Sequence, residues 1–189
     1  MVAPILKKVF DPIIELDLQV WKNFENLGSV SDLPKESILK QSNSVEGYFN
    51  LILKGSGGAI LSTERNSVCV DIALENEFLN DYLSFTSQKP SPIEVRLFED
   101  SQIFRVSYQN FQKTMLSGNF GLKVSLLASE EAINDKQQQQ IDLLTKSAKT
   151  RYLEMLEKRP GLDRIPLKYL ASFLGITPQS LSRIRAGKI

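Results

Sequence analysis

Residues 166–185 read PLKYLASFLGITPQSLSRIR, and this run predicts two short helices joined by a tight turn. In its first half, apolar residues recur at the three- and four-residue spacing of a helix, at Leu167, Leu170, Ala171 and Leu174. Gly175 follows the last of them, where a left-handed backbone favours a residue without Cβ. Thr177 is a good N-cap and Pro178 a good first helical residue, so a second helix should begin there. The pattern predicts a helix-turn-helix, in which Ala171 lets the two helices cross closely.

The second helix of such a motif is the one that enters the major groove of DNA, with its N-terminal residues towards the bases. Its predicted inner face is Leu181 and Ile184, and its outer face contains no acidic residue. Gln179 and Arg183 are the predicted base contacts, because Gln pairs with adenine and Arg with guanine through two hydrogen bonds. We expect phosphate contacts from the other outer-face positions, which are Thr177, Ser182, Arg185 and Lys188, with Ser180 beside them. A helical hairpin that only packs at the end of a domain is the alternative interpretation.

The charge of the chain is unevenly distributed. Residues 146–189 contain ten Lys or Arg and three Asp or Glu, whereas the whole chain has a net charge of only +1. The first 145 residues therefore carry a net charge of −6 and the last 44 a net charge of +7. A basic C-terminal module on a mildly acidic body is typical of a nucleic-acid binder with an attached regulatory domain. Chance clustering of surface charge would produce the same imbalance.

The residue types that are missing exclude several functions. The chain has no His, the usual general base and the commonest metal ligand, so we expect no catalytic residues, no metal site and no cofactor. Its one cysteine, Cys69, cannot form an internal disulfide or hold an iron–sulfur cluster, and its position between valines predicts a core residue. There is no apolar run of transmembrane length and no signal-peptide core at the N-terminus. We therefore expect a cytoplasmic protein that is neither an enzyme nor a membrane protein.

Helical and strand patterns alternate along the rest of the chain. Residues 11–28 predict a helix, in which Leu16, Val20, Phe24 and Leu27 recur at helical spacing. Short strands separated by turns then predict a β-sandwich or jelly roll, with strands at 48–54, 59–61, 67–74, 93–98 and 102–106. The glycine-rich residues 55–58 predict a turn between strands, because they lack the lysine pattern of a phosphate-binding loop. Further helices are predicted at 108–116, 120–145 and 148–158.

The predicted helix 120–145 is long and almost free of helix breakers. Its three- and four-residue steps resemble a heptad seam that is apolar at both ends and polar in the middle, through Leu122, Leu126, Ile133, Lys136, Gln140 and Leu143. The pattern fits a lone surface helix, and it fits equally well a two-helix seam between two copies of the chain.

Helix, short strands, long helix and C-terminal helix-turn-helix is a layout that resembles the Crp/Fnr family of bacterial transcription regulators. The resemblance covers nearly the whole chain, and its most specific part is the run 166–177, which looks like the branch common in Bacteroidetes. It implies an α+β protein with three parts: a cyclic-nucleotide-binding-like β jelly roll with an N-terminal helix (1–119), a dimerisation helix (120–145) and a small all-α DNA-binding domain (146–189). A homodimer of this kind would bind double-stranded DNA at two half-sites about one helical turn apart.

The resemblance also implies an effector pocket in the jelly roll. By family position, the pocket residues would be Lys54, Asn80, Asp81, Ser84, Ser91 and Gln137. In cyclic-nucleotide binders of this family an Arg pairs with the cyclic phosphate, but here that position falls near Ser91, and Glu77 and Asp81 are acidic. Because a buried phosphate needs a compensating charge, we expect no useful affinity for cAMP or cGMP and an effector of unknown identity.

Many members of the family continue into a β-hairpin wing, but only four residues follow Arg185, so we expect the wing to be absent or formed elsewhere. Other functions remain open. The chain could instead be a structural or interaction protein that does not bind DNA and keeps a vestigial cyclic-nucleotide-binding-like domain. An enzyme on a jelly roll of the cupin type is disfavoured, because metal cupins rely on clustered His.

Overall fold

A computed structural model describes residues 1–64, 66–116 and 119–188. Over these residues the chain forms a β-roll of seven strands surrounded by helices. The helices are α1 (Ala3–Phe10), α2 (Leu18–Glu25), α3 (Tyr82–Ser87), α4 (Tyr108–Leu116), α5 (Asn119–Thr145), α6 (Ala148–Lys158), α7 (Leu167–Phe173) and α8 (Pro178–Arg185), with a single 3-10 turn at Leu162–Arg164. The strands are β1 (Gly28–Leu33), β2 (Ile38–Lys40), β3 (Tyr48–Lys54), β4 (Gly57–Ser62), β5 (Ser67–Ala73), β6 (Ile93–Leu97) and β7 (Ser101–Ser107).

The strands form two antiparallel sheets, ordered β1-β7-β3 and β2-β6-β4-β5, as the sequence predicts for a β-sandwich. Their facing sides enclose a core in which each side chain is at most 1% exposed, formed by Ile52, Ala73, Leu79, Val95, Leu97 and Ile103. The turn predicted at residues 55–58 is confirmed at Gly55 and Ser56 only, because Gly57 and Gly58 begin β4. Gly55 has a φ of +102°, and a Cβ there would lie 2.1 Å from the hydroxyl oxygen of Ser101, so no larger residue fits.

Helices α1, α2 and the start of α5 cover the outer side of the three-stranded sheet. The rings of Phe10 and Trp21 stack at 4.8 Å, and Val124 of α5 is buried in the same cluster. The helix predicted over residues 11–28 is wrong at both ends, because α2 spans Leu18–Glu25 and Gly28 begins β1. The Asp17 carboxylate accepts a hydrogen bond from the Gln19 amide at 2.7 Å and so caps a helix that begins at Leu18.

The outer side of the four-stranded sheet is apolar and is covered by residues 148–188, which we name the C-terminal module. One buried cluster joins Ile60, Cys69, Ile72, Leu74 and Phe98 of the roll to the module residues Tyr152, Leu162, Ile165, Tyr169, Leu170, Leu174, Leu181 and Ile184. Cys69 is therefore a core residue, as predicted. Its strand, β5, is the last of the sheet, and its amide donates to the Ser172 hydroxyl of α7 at 3.0 Å.

Helix α5 leaves the β-roll after its first turns, and residues 130–141 are exposed. All six residues of the predicted seam are exposed. Two of them nevertheless contact their own chain, since Lys136 pairs with Asp71 of β5 at 3.0 Å and Leu143 lies near Gly175. An exposed apolar stripe runs through Leu122, Leu126, Ile133 and Leu144, which are 50–77% exposed. No described helix is both long and apolar enough to cross a membrane.

Candidate nucleic-acid interface and effector segment

Helix α8 begins where the sequence predicts, because Thr177 caps it. The Thr177 backbone is extended, and its hydroxyl oxygen accepts a hydrogen bond from the Ser180 amide at 3.1 Å. The Thr177 and Ser180 hydroxyls are themselves 3.0 Å apart. Pro178 follows at the first helical position, where no amide hydrogen is needed. Both hydroxyls therefore already form hydrogen bonds within the chain, at the start of α8.

The turn between α7 and α8 is held from three sides. Gly175 adopts the left-handed conformation with a φ of +69°, and the Ile176 amide donates back to the Ala171 carbonyl at 3.0 Å. Arg151 of α6 donates to the Leu174 carbonyl at 2.7 Å, which satisfies the exposed end of α7. Beneath the turn, Leu181 of α8 is completely buried. These contacts fix the direction of α8 relative to α6 and α7.

The outer face of α8 is polar, basic and open to solvent. Its exposed members are Gln179, Ser182, Arg183 and Arg185, followed by Lys188, whereas Ser180 is half-buried. The Arg185 guanidinium lies 5.8 Å from the centre of the Tyr152 ring of α6. Among the described residues no carboxylate forms an ion pair with Arg183 or Arg185. Both charges are therefore available to a phosphate or a base edge.

The residues expected in the effector pocket lie mainly on the segment that joins β5 to β6 through α3, residues 74–92, which we name the effector segment. Asp81 of this segment is buried and pairs with the ammonium group of Lys40 at 3.0 Å. The Ser91 hydroxyl donates to the same carboxylate. Lys40 also donates to the carbonyls of Ser91 at 3.1 Å and Ile93 at 2.6 Å, so its hydrogen-bonding capacity is already used.

A second buried carboxylate lies next to this pair. Glu46 is fully buried and accepts hydrogen bonds from the amides of Tyr48 at 3.1 Å and Asp81 at 3.5 Å. Burial raises the pKa of Glu46, although these hydrogen bonds and the charge of Arg105 act in the opposite direction. The Ser84 hydroxyl accepts from the Glu46 amide and donates to the Lys89 carbonyl at 2.6 Å. This end of the roll is therefore occupied by the protein's own polar side chains.

The structure brings together three of the six predicted pocket residues. Asp81, Ser84 and Ser91 share the buried polar cluster, whereas the half-buried Asn80 side chain accepts from the Asn50 amide at 2.8 Å. Lys54 is not part of it and lines an open cleft of about 320 Å³ with Asp32, Leu33, Pro34, Asp100, Ser101 and Gln102. Gln137 is also separate, exposed on α5.

Sequence reasoning missed Lys40 and Glu46, the two charged residues that complete this cluster. In β2 the apolar Ile38 is 44% exposed, whereas Lys40 is 4% exposed. Regular alternation would place both side chains on the same face of β2, but the pairing of β2 with β6 shifts its register between them. No group of three or more potential metal ligands among His, Cys, Asp and Glu occurs in the described part of the chain.

Comparison with known proteins identifies the fold. No family model matches the chain, and no curated protein matches it in sequence. Among solved structures, FixK2 from Bradyrhizobium japonicum superposes with a TM-score of 0.69 at 13% identity, over 85% of this chain and 83% of that one. The c-di-GMP responsive global regulator CLP of Xanthomonas campestris gives 0.66 at 14% identity, over 90% and 91%.

The catabolite activator protein of Thermus thermophilus gives a TM-score of 0.56 at 12% identity, over 95% of this chain and 85% of that one. At such low identity the likeness concerns the fold alone. The expected architecture of helices, antiparallel sheets and a long helix is thus confirmed, and the chain shares a cyclic-nucleotide-binding-like fold with these proteins.

Proposed function

We propose that this chain is a DNA-binding transcription regulator of the Crp/Fnr type, and that α7 and α8 act as its helix-turn-helix. One observation carries the proposal: the outer face of α8 is exposed, basic and free of carboxylate partners within the described chain. The capped start and the buried inner face of α8 give it a fixed direction, which base readout requires.

Within α8, Gln179 and Arg183 are the proposed base contacts, because both are exposed on its outer face. Ser182, Arg185 and Lys188 are the proposed phosphate contacts. Thr177 and Ser180 are proposed to act mainly through the cap and through backbone amides at the start of α8, since their hydroxyls already bond within the chain.

The active form in this proposal is a homodimer, with the β-roll as sensor (1–119), α5 as dimerisation helix (120–145) and the C-terminal residues as DNA-binding domain (146–189). The exposed apolar stripe of α5 supports it, because four large apolar side chains on one helix face favour burial against a second helix. The effector, if the β-roll binds one, is proposed not to be cAMP. Lys40, the cation of the buried cluster, already pairs with Asp81 there. We place such a regulator in the cytoplasm and assign it no enzymatic role.

The test is selection of genomic DNA fragments by the purified protein, followed by salt-titrated binding to the enriched sequence. We expect a palindromic site and a steep decrease in affinity with salt. Arg183→Ala should weaken binding by about 1–3 kcal/mol and relax specificity at one base position. Lys8→Ala removes an exposed positive charge on α1 and should change little.

Absence of any enriched sequence, with and without a metabolite extract, would contradict the proposal. It would favour the alternative of a structural or interaction protein that does not bind DNA. Equal effects of Arg183→Ala and Lys8→Ala would instead show that binding is nonspecific attraction between charges and not readout by α8.

A further inference from the structure

The effector segment and the C-terminal module are joined by an arginine at the end of α6. The Arg159 guanidinium donates through Nε to Glu77 of the segment at 2.9 Å and through Nη2 to the other oxygen of that carboxylate. The same Nη2 donates to the Ile72 carbonyl of β5 at 2.9 Å. Arg159 thus donates to three acceptor atoms of the β-roll. Its pairing with the Glu77 carboxylate is bidentate, which lysine cannot reproduce.

A second arginine makes a similar connection a few residues later. Arg164 pairs with Glu75 of the effector segment, and Glu99 lies 3.8 Å away. Burial raises the pKa of Glu75, but the hydrogen bonds from Arg164 and from the Gly55 amide outweigh it, so the pKa lies below its usual value. Two carboxylates of one short segment therefore hold two arginines of the module.

The same segment is tied to the interior of the roll. The Glu77 carbonyl accepts from the Ile52 amide at 3.0 Å, and the Leu79 amide donates to the Asn50 carbonyl at 3.0 Å. Asn80, whose side chain accepts from the Asn50 amide, and Asp81, which belongs to the buried polar cluster, follow directly. Only a few residues separate the carboxylate that binds Arg159 from the cluster, and both are fixed to β3 and its neighbours. A shift of the buried polar cluster would therefore be transmitted to the C-terminal module through only a few residues, whose backbone is hydrogen-bonded to β3.

We infer that Arg159 is a positioning residue, which sets the orientation of the C-terminal module by binding Glu77 of the effector segment. The part of this inference that concerns DNA binding rests on the proposed function. Arg159 lies outside α8, so it can affect DNA binding only through the docking of α7 on the four-stranded sheet. The apolar cluster shared by the module and the β-roll, in which Leu162, Leu170 and Leu181 are fully buried, does not involve Arg159, so loss of Arg159 should loosen the docking without unfolding the module.

The chain contains a reporter for this docking. Cys69 is the only cysteine, is 2% exposed and lies beneath α7, where its amide binds Ser172. A thiol-specific maleimide can reach it only when α7 moves away or β5 opens. When opening and closing are faster than modification, the rate of modification follows the open population. The reporter does not depend on DNA binding.

The experiment compares Arg159→Met with Lys7→Met. Lys7 is a matched control, since it too makes one carboxylate pair and one hydrogen bond to a backbone carbonyl, with Asp11 and Leu16 on the other side of the roll. We expect Arg159→Met to increase the rate of Cys69 modification roughly tenfold, the effect of losing charge-assisted hydrogen bonds, and Lys7→Met to leave it unchanged. Affinity for a palindromic site should fall by about the same factor, while affinity for a single half-site stays within about twofold.

Glu77→Gln should reproduce the Arg159→Met result, and the double variant should add little, because both changes remove one interaction. Where Arg159→Met fails to fold, Arg159→Lys should give a smaller increase in the same direction. An unchanged rate of Cys69 modification in both Arg159→Met and Glu77→Gln would overturn the inference. Equal loss of affinity for palindrome and half-site would also overturn it, as would independent effects in the double variant. A wild-type protein that selects no DNA would refute the proposed function and leave the thiol measurement to decide the inference.

Discussion

The ring of Tyr169 in α7 lies parallel to the ring of Phe98, which follows β6, with centroids 4.5 Å apart and planes 11° from parallel. Each ring belongs to a different layer, one to the C-terminal module and one to the outer side of the four-stranded sheet. The Lys168 ammonium also lies 4.4 Å from the centre of the Tyr169 ring. This stack and the hydrogen bonds of Arg159 belong to the same interface, between the C-terminal module and the β-roll.

Replacing Tyr169 with leucine should reduce the free energy of unfolding by about 1 kcal/mol, because stacking is lost while apolar volume is largely kept. The measurement is urea denaturation followed by circular dichroism. Tyr82→Leu is the control, since that ring is about half exposed and forms no aromatic pair among the described residues. Equal stability of the Tyr169→Leu variant and the wild type would show that the stack contributes nothing.

Replacing Lys40 with methionine should reduce stability by about 3–5 kcal/mol, because it leaves Asp81 charged, buried and without its cation. The double variant Lys40→Met, Asp81→Leu should recover much of this loss, since both charges are then removed. Urea denaturation of the two variants, with exposed Lys35→Met as control, tests the point. A double variant as unstable as Lys40→Met would mean that hydrogen bonds to Ser91 and Ile93, and not the unpaired charge, dominate.

Glu46 predicts a pH dependence of known sign. Its folded-state pKa is raised above the ordinary value of 4.5, so the folded state binds the proton more tightly than the unfolded state. The stability that Glu46 contributes is therefore present below that value and is lost as pH rises through the folded pKa. Measured from about pH 4 to about pH 8, the stability of Glu46→Gln relative to wild type should increase. A relative stability independent of pH would contradict this prediction.

The apolar stripe of α5 predicts a dimer that one charge can disrupt. Ile133→Glu should shift the protein towards monomer in sedimentation equilibrium, because a carboxylate buried between two helices is costly. Leu153→Glu is the control, since Leu153 of α6 is 49% exposed and lies outside the stripe. A wild-type protein that sediments as a monomer at high concentration would exclude the stripe as a dimer interface.

The buried cluster also predicts that cyclic nucleotides do not bind. A fluorescent cAMP analogue should show no saturable binding at micromolar concentration, because a phosphate at Ser91 would have to displace Asp81 from Lys40. Fluorescence anisotropy with the purified protein is the measurement. Binding at micromolar or lower concentration would show that this cluster rearranges and that the pocket is functional.

Sequence reasoning worked where the signals are local. The cap at Thr177, the turn at Gly175 and the ends of α4 and α6 each depend on a few adjacent residues, and the structure places them as predicted. Where the signal depends on tertiary contacts it failed. The spacing over residues 11–28 reflects side chains that reach one cluster from a turn and a helix, and helix α1 before it was missed.

In the candidate sites, too, the features that depend on neighbouring residues were predicted and those that depend on tertiary contacts were not. The outer face of α8 follows from helical periodicity, whereas the cluster of Lys40, Glu46 and Asp81 joins residues from three separate parts of the chain. Nothing in a single sequence distinguishes a buried lysine in a short strand from an exposed one. Likewise, the spacing of Lys136 and Leu143 predicts the seam but not their contacts with Asp71 and Gly175, which lie far from them in the sequence.

The position of β5 at the edge of its sheet has a consequence for aggregation. Edge strands carry unpaired backbone groups that can pair with another chain, and here Ser172 satisfies the Cys69 amide while α7 covers the apolar side chains around it. The C-terminal module therefore shields a surface with the features of an aggregation site. A β-roll expressed without residues 148–188 would expose Ile60, Ile72 and Phe98 beside an open strand, and should self-associate through that edge.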